Sequence, residues 1–114
     1  MGKYAEFTAY RQKLNQKILE QGNLEIKRFF ALDGQVYQNG ALTAQTKELL
    51  GLAASLVLRC DDCIAYHLIQ AKDAGAGRAE IFETFSIALL VGGSIVIPHL
   101  RRAVDFLEEL EAKG

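Results

Sequence analysis

The stretch from Glu48 to His67, ELLGLAASLVLRCDDCIAYH, decides how the whole chain reads. Wound at helical pitch, its first part after Glu48 is apolar on nearly every side and shows no strand-like alternation. Arg59, Asp61 and Asp62 then interrupt the apolar run, and a new helical pattern begins around Cys60 and Cys63. The stretch therefore reads as the body of one helix followed by the start of another.

The same period continues outward in both directions. Toward the C-terminus, the helix that opens at the cysteines ends at Gly75 or Gly77, where glycine accepts the left-handed backbone of a helix cap. The next helix, RAEIFETFSIALLV, stops at Gly92-Gly93. A last helix runs from about Ser94 to Ala112, with Pro98 near its beginning and Leu100, Val104, Leu107 and Leu110 as its apolar stripe. Toward the N-terminus, Thr43 caps a helix that begins near Ala44. Before the turn Gln38-Asn39-Gly40, a helix over about Leu24 to Tyr37 turns Ile26, Phe29, Phe30 and Val36 inward. The first helix, about Lys3 to Gln21, spaces Phe7, Tyr10, Leu14 and Ile18 along one face. The reading is an all-α bundle of about six helices, forming a single domain over residues 1–114.

Composition sets the outer limits. Half the residues are apolar and 24% are charged, which is globular rather than disordered. A net charge of −1 gives no positive field to recruit nucleic acid or an anionic membrane. The N-terminus lacks a signal-peptide core. The run from Phe85 to Pro98 is shorter than the ~18–20 residues that span a bilayer. These features predict a soluble, cytoplasmic protein. Two helices, about Leu49–Leu58 and Ile87–Val91 with its continuation Ile95–Ile97, are apolar all round and need cover on every side. A domain this small cannot supply all of it, so the sequence predicts a homo-oligomer.

The chemistry concentrates in Glu48, Cys60, Cys63 and His67. A disulfide across so short a loop removes little chain entropy and is a poor staple. In a cytoplasmic chain the C-x-x-C spacing points instead to redox or metal chemistry. Cys60 and Cys63 share one helical turn, so their sulfurs can approach. His67 lies four positions after Cys63 on the same face, where an imidazole can take a thiol proton and favour the nucleophilic thiolate. Glu48 begins the apolar helix three turns before the cysteines. It is either exposed at an edge or buried with a partner, and reaches His67 if the two helices pack as a hairpin. Plainer roles exist for each: small core cysteines, a structural histidine, a glutamate favoured near a helix start. His99 either lines the pocket or faces solvent, and Arg101 and Arg102 read as a solvated or intersubunit charge pair.

The pattern E-x11-C-x-x-C-x-x-x-H, followed by a glycine-interrupted apolar run, resembles the carboxymuconolactone decarboxylase superfamily, and within it the alkylhydroperoxidase D branch. The similarity is clearest from about Thr46 to Leu107. It implies an all-α fold assembling into trimers or hexamers, and an enzyme that is a thiol peroxidase of peroxiredoxin type. Cys63 then attacks a small hydroperoxide and becomes a sulfenic acid, and Cys60 resolves it as a disulfide. His67 and Glu48 relay protons, and an external thiol reductant, a lipoyl carrier or a thioredoxin-like protein, resets the pair. No cofactor is implied. The chain departs from the typical motif at Asp62, where that branch carries a histidine. Three alternatives stand beside this reading: zinc held by Cys60, Cys63, His67 and His99, a non-catalytic oligomeric binding protein, and a decarboxylase, whose chemistry needs no cysteine pair.

Overall fold

The computed structural model describes residues 2–113. It contains α1 (Lys3–Gln21), α2 (Leu24–Val36), α3 (Ala44–Val57), α4 (Asp61–Asp73), α5 (Arg78–Gly92) and α6 (Ile97–Lys113). One turn of 3-10 helix, Ser94–Val96, precedes α6, and no strand occurs among the described residues. The architecture is all-α with six helices, as the sequence predicts. By compactness the chain divides into Met1–Gln38, which holds α1 and α2, and Asn39–Gly114, which holds the other four helices.

In the first unit, Asn23 caps α2 by accepting the Ile26 N–H at 3.0 Å. Neither α1 nor α2 contains a buried residue. Tyr10 is 68% exposed and Phe29 is 69% exposed. Of the four residues expected to turn inward, Phe30 is half-buried, whereas Ile26, Phe29 and Val36 are exposed. Their spacing selects a helix face, but spacing does not supply the surface that would cover it.

The second unit holds the core. Thr43 caps α3 by accepting the Thr46 N–H at 3.1 Å. Only three residues separate α3 from α4, and Gln45 Nε2 donates to the Ala74 carbonyl at 3.2 Å. The start of one helix thus meets the end of the other, which makes an antiparallel αα-hairpin. The end of α3 is closed by a Schellman pair of bonds, Cys60 N–H to Ser55 O at 3.0 Å and Arg59 N–H to Leu56 O at 3.1 Å. The residue that turns the chain is Arg59, at φ 60°. The same two bonds close α4 through Gly75, at φ 95°. Glycine makes that turn without a Cβ clash, whereas arginine costs roughly 1–2 kcal/mol there.

α5 starts where Glu80 takes the Gly77 N–H at 2.8 Å. It packs on α3, and α6 packs on α4. Leu52, Leu56, Leu68, Ile81, Val96 and Leu107 are fully buried between these elements. On α6 the innermost residues are Ala103, Phe106 and Leu107, while Leu100, Val104 and Leu110, the rest of the predicted stripe, are half-buried. The continuous last helix expected from Ser94 instead opens with a 3-10 turn. Pro98 has no N–H to offer the Ser94 carbonyl in α register, so the Ile97 N–H takes it. Arg78 and Lys72 both pair with Glu111, which ties α4, α5 and α6 together at one edge. No helix among the described residues is long and apolar enough to cross a membrane.

Candidate active site

The α3–α4 turn delivers Cys60 to the N-cap position of α4, with extended backbone. Its Sγ accepts the Cys63 N–H at 3.2 Å, the bond an N-cap oxygen would ordinarily make. Cys60 and Cys63 form a disulfide, with Cα atoms 5.3 Å apart. Both residues are half-buried. Sulfur at this place also sits where the helix dipole and the free amides of the first turn favour negative charge.

One turn further along α4, His67 is 9% exposed. Its Nδ1 lies 2.8 Å from Glu48 Oε1 on α3, and Glu48 is only 6% exposed. A carboxylate only accepts, so the bond places a proton on Nδ1 and makes Nε2 the basic nitrogen of the neutral ring. A carboxylate that fixes the tautomer and plane of an imidazole is the arrangement by which general bases are oriented.

The ring lies flat against α3 because position 51 has no side chain. A Cβ on Gly51 would stand 2.7 Å from His67 Cε1 and 2.8 Å from Nε2. Glu48 and Gly51 are one turn apart on α3, so the same face provides both the hydrogen-bond partner and the opening for the ring. Ser55 continues that face, its Oγ donating to the Gly51 carbonyl at 2.7 Å. Among the described residues, no buried side-chain nitrogen or oxygen lacks a hydrogen-bond partner.

Sequence reasoning did not find a second cluster beside the cysteines. Asp61, the first residue of α4, accepts from Arg102 Nε at 2.9 Å and has His99 Nδ1 at 2.8 Å. His99 and Arg102 both belong to α6, where they stand one turn apart. The 3.3 Å approach of Arg102 Nη2 to His99 Nδ1 is not a further bond when that nitrogen donates to Asp61, because two donors then face each other. In the sequence Asp61 stands out only as one of the charges that interrupt the apolar run. Its partners lie 38 and 41 positions away, beyond the reach of any helical spacing.

The four zinc donors considered from the sequence are committed elsewhere: the cysteines to each other, His67 to Glu48 and His99 to Asp61. Among the described residues, no three His, Cys, Asp or Glu side chains converge as a metal site. The structure thus brings Glu48, His67 and the cysteine pair together in one hairpin, and places His99 beside Asp61.

Comparison with known proteins gives a consistent placement. Two crystal structures of a Thermotoga maritima protein are 60% identical in sequence to this chain. Their TM-scores are 0.93 and 0.90; one covers 95% of each chain, the other 94% of this chain and 91% of its own. One is described as a carboxymuconolactone decarboxylase family protein with a possible part in the antioxidative response. A family protein of Legionella pneumophila, in its apo form, is 26% identical with a TM-score of 0.86, over 94% of this chain and 96% of that one. A protein of the cox locus of Paracoccus denitrificans is 31% identical over 83 residues, 73% of this chain and 75% of its own length. A Cupriavidus necator protein is 32% identical over 75 residues, 66% of each. The sequence profile of the carboxymuconolactone decarboxylase family matches residues 23–106, and the chain belongs to that family.

Proposed function

We propose that the chain is a thiol-dependent oxidoreductase that reduces small hydroperoxides through Cys60 and Cys63. The observation that carries this reading is the placement of the disulfide one helical turn before a buried His67–Glu48 pair. The description of the Thermotoga maritima relative as having a possible part in the antioxidative response points the same way.

In the reduced chain, His67 Nε2 accepts the Cys63 thiol proton, and Glu48 holds the ring in the required tautomer. The Cys63 thiolate attacks the terminal peroxide oxygen. The O–O bond breaks, the alcohol leaves with the proton from the imidazolium, and Cys63 becomes a sulfenic acid. Cys60 Sγ, deprotonated, then attacks the Cys63 sulfur and releases hydroxide, which leaves as water on taking up a proton. The result is the disulfide. An external dithiol, on a lipoyl carrier or a thioredoxin-like protein, supplies two electrons and two protons to restore both thiols. The N-cap position of Cys60 favours it as the sulfur expelled in that exchange, because the first-turn amides stabilise a departing thiolate.

We also propose that the protein works in the cytoplasm as a homo-oligomer, a trimer or a hexamer. Ile87, Leu90 and Val91 form one stripe on α5 and are 60%, 85% and 69% exposed. An uncovered apolar stripe of this kind marks an association surface.

The deciding experiment treats fully reduced protein with one equivalent of an organic hydroperoxide and follows intact mass and free thiols. Rapid conversion to an intramolecular disulfide is expected. Cys63→Ser is expected to abolish it, and Cys60→Ser to stop it at the sulfenic acid. Thiols that survive prolonged exposure reject the peroxidase reading.

A further inference from the structure

The two carboxylates between the cysteines are a liability in a redox motif, because negative charge disfavours the thiolate forms of the reduced pair. One of them is not left bare. Asp61, immediately after Cys60, is held by His99 Nδ1 at 2.8 Å and Arg102 Nε at 2.9 Å, both from α6. The arginine brings a permanent positive charge to the Asp61 carboxylate. His99 is largely enclosed, its side chain 18% exposed, while Asp61 is 47% and Arg102 is 57% exposed. The contact joins the first residue of α4 to α6 and does not enter the proton path described above.

We propose that the Asp61–His99–Arg102 cluster is a positioning element that sets the reduction potential of the Cys60–Cys63 pair by holding a compensated carboxylate at the start of α4. The proposal rests on reading that pair as redox-active. The disulfide is neutral, whereas its reduced form has thiolate character. The charge balance at Asp61 therefore acts mainly on the reduced side of the two-electron, two-proton exchange. Removing the arginine charge leaves the carboxylate uncompensated and makes the disulfide harder to reduce. Removing the carboxylate leaves the arginine unopposed and makes the disulfide easier to reduce. A cluster that only braced the helices would move both variants in the same direction, or neither.

The test equilibrates the full chain with graded mixtures of reduced and oxidised dithiothreitol and reads the oxidised fraction from intact mass. Arg102→Gln is expected to shift the equilibrium toward the disulfide, and Asp61→Asn toward the dithiol. Each shift is about threefold or more, the order a single nearby charge produces at a protein surface. Threefold corresponds to about 14 mV for a two-electron couple. Arg102→Lys restores most of the wild-type value, and Asp61→Asn with Arg102→Gln falls between the single variants. Shifts of the same sign in both single variants, or no shift in either, overturn the proposal. No peroxide enters the measurement. A wild-type pair that titrates normally yet ignores hydroperoxide therefore sinks only the peroxidase reading, while a pair that never exchanges with dithiothreitol sinks both.

Discussion

Glu48 and His67 meet at 2.8 Å across the α3–α4 hairpin, and both are more than nine-tenths buried. Neither can be replaced by an apolar residue without leaving the other's polar atom enclosed and unpaired. Glu48→Ala should strand the His67 Nδ1–H and cost about 1–3 kcal/mol. In a domain of this size that lowers the melting temperature by at least about 3 °C. Glu48→Gln keeps the volume and should fold normally, yet slow thiol oxidation by about tenfold to a hundredfold, since the ring loses its orienting charge. Thermal melts and peroxide-driven thiol loss on the same samples separate the two effects.

Gly51→Ala tests the packing of the ring. The new Cβ would stand under 3 Å from three His67 ring atoms, so the imidazole must leave its present position against α3. Alanine also improves the helix by about 1 kcal/mol relative to glycine, which offsets part of the steric cost. The expected result is a small change in melting temperature with a fall in thiol reactivity of about tenfold or more. Unchanged reactivity would show that the placement of His67 does not matter to the thiols.

Arg59 offers the opposite trade. Its φ of 60° is comfortable for glycine, as Gly75 shows at the matching turn after α4. Arg59→Gly should stabilise the fold by about 1 kcal/mol, and Arg59→Val should destabilise it by at least as much, because β-branching worsens the left-handed conformation. Denaturant midpoints for the three proteins would order them Gly, Arg, Val.

The capping sulfur can be isolated from its redox role. Neither Cys60→Ser nor Cys60→Ala forms the disulfide, but serine keeps an acceptor for the Cys63 N–H that alanine lacks. Under reducing conditions the serine variant should be more stable by about 0.5–2 kcal/mol. Chemical denaturation with excess reductant gives the comparison directly.

The α5 stripe predicts association in solution. Wild-type protein should sediment as a trimer or hexamer, and Leu90→Glu should shift it toward smaller species by placing a charge on a residue 85% exposed in the single chain. A wild-type monomer at micromolar concentration would remove the oligomer from the proposal.

Much of the fold was legible because its signals are local. Thr43 marks a helix start through its side-chain hydrogen bond, and Gly75 and the Gly92-Gly93 pair mark helix ends through the backbone freedom of a residue without a Cβ. The faces of α1 and α2 were legible in direction but not in occupancy, since periodicity says which residues are apolar and not what covers them. The 3-10 turn at Ser94 follows from one missing amide at Pro98, a detail that a helical period of three to four residues does not resolve. The Glu48–His67 contact was readable only as a condition: spacing put His67 on the face of Cys63, and only hairpin packing could bring Glu48 from the preceding helix to it. Nothing comparable announced the bond from Asp61 to α6, because contacts between distant helices depend on crossing geometry rather than on sequence period.

The three-residue turn between α3 and α4 confines Glu48, both cysteines and His67 to a single supersecondary unit of local contacts. Short loops close quickly and at small entropic cost, so this chemistry can assemble early in folding, before α6 docks. Such a unit is also modular. Helices added or lost at either end of the chain can alter which molecules reach the sulfurs, while the placement of Glu48 and His67 relative to the cysteines is set within the hairpin itself.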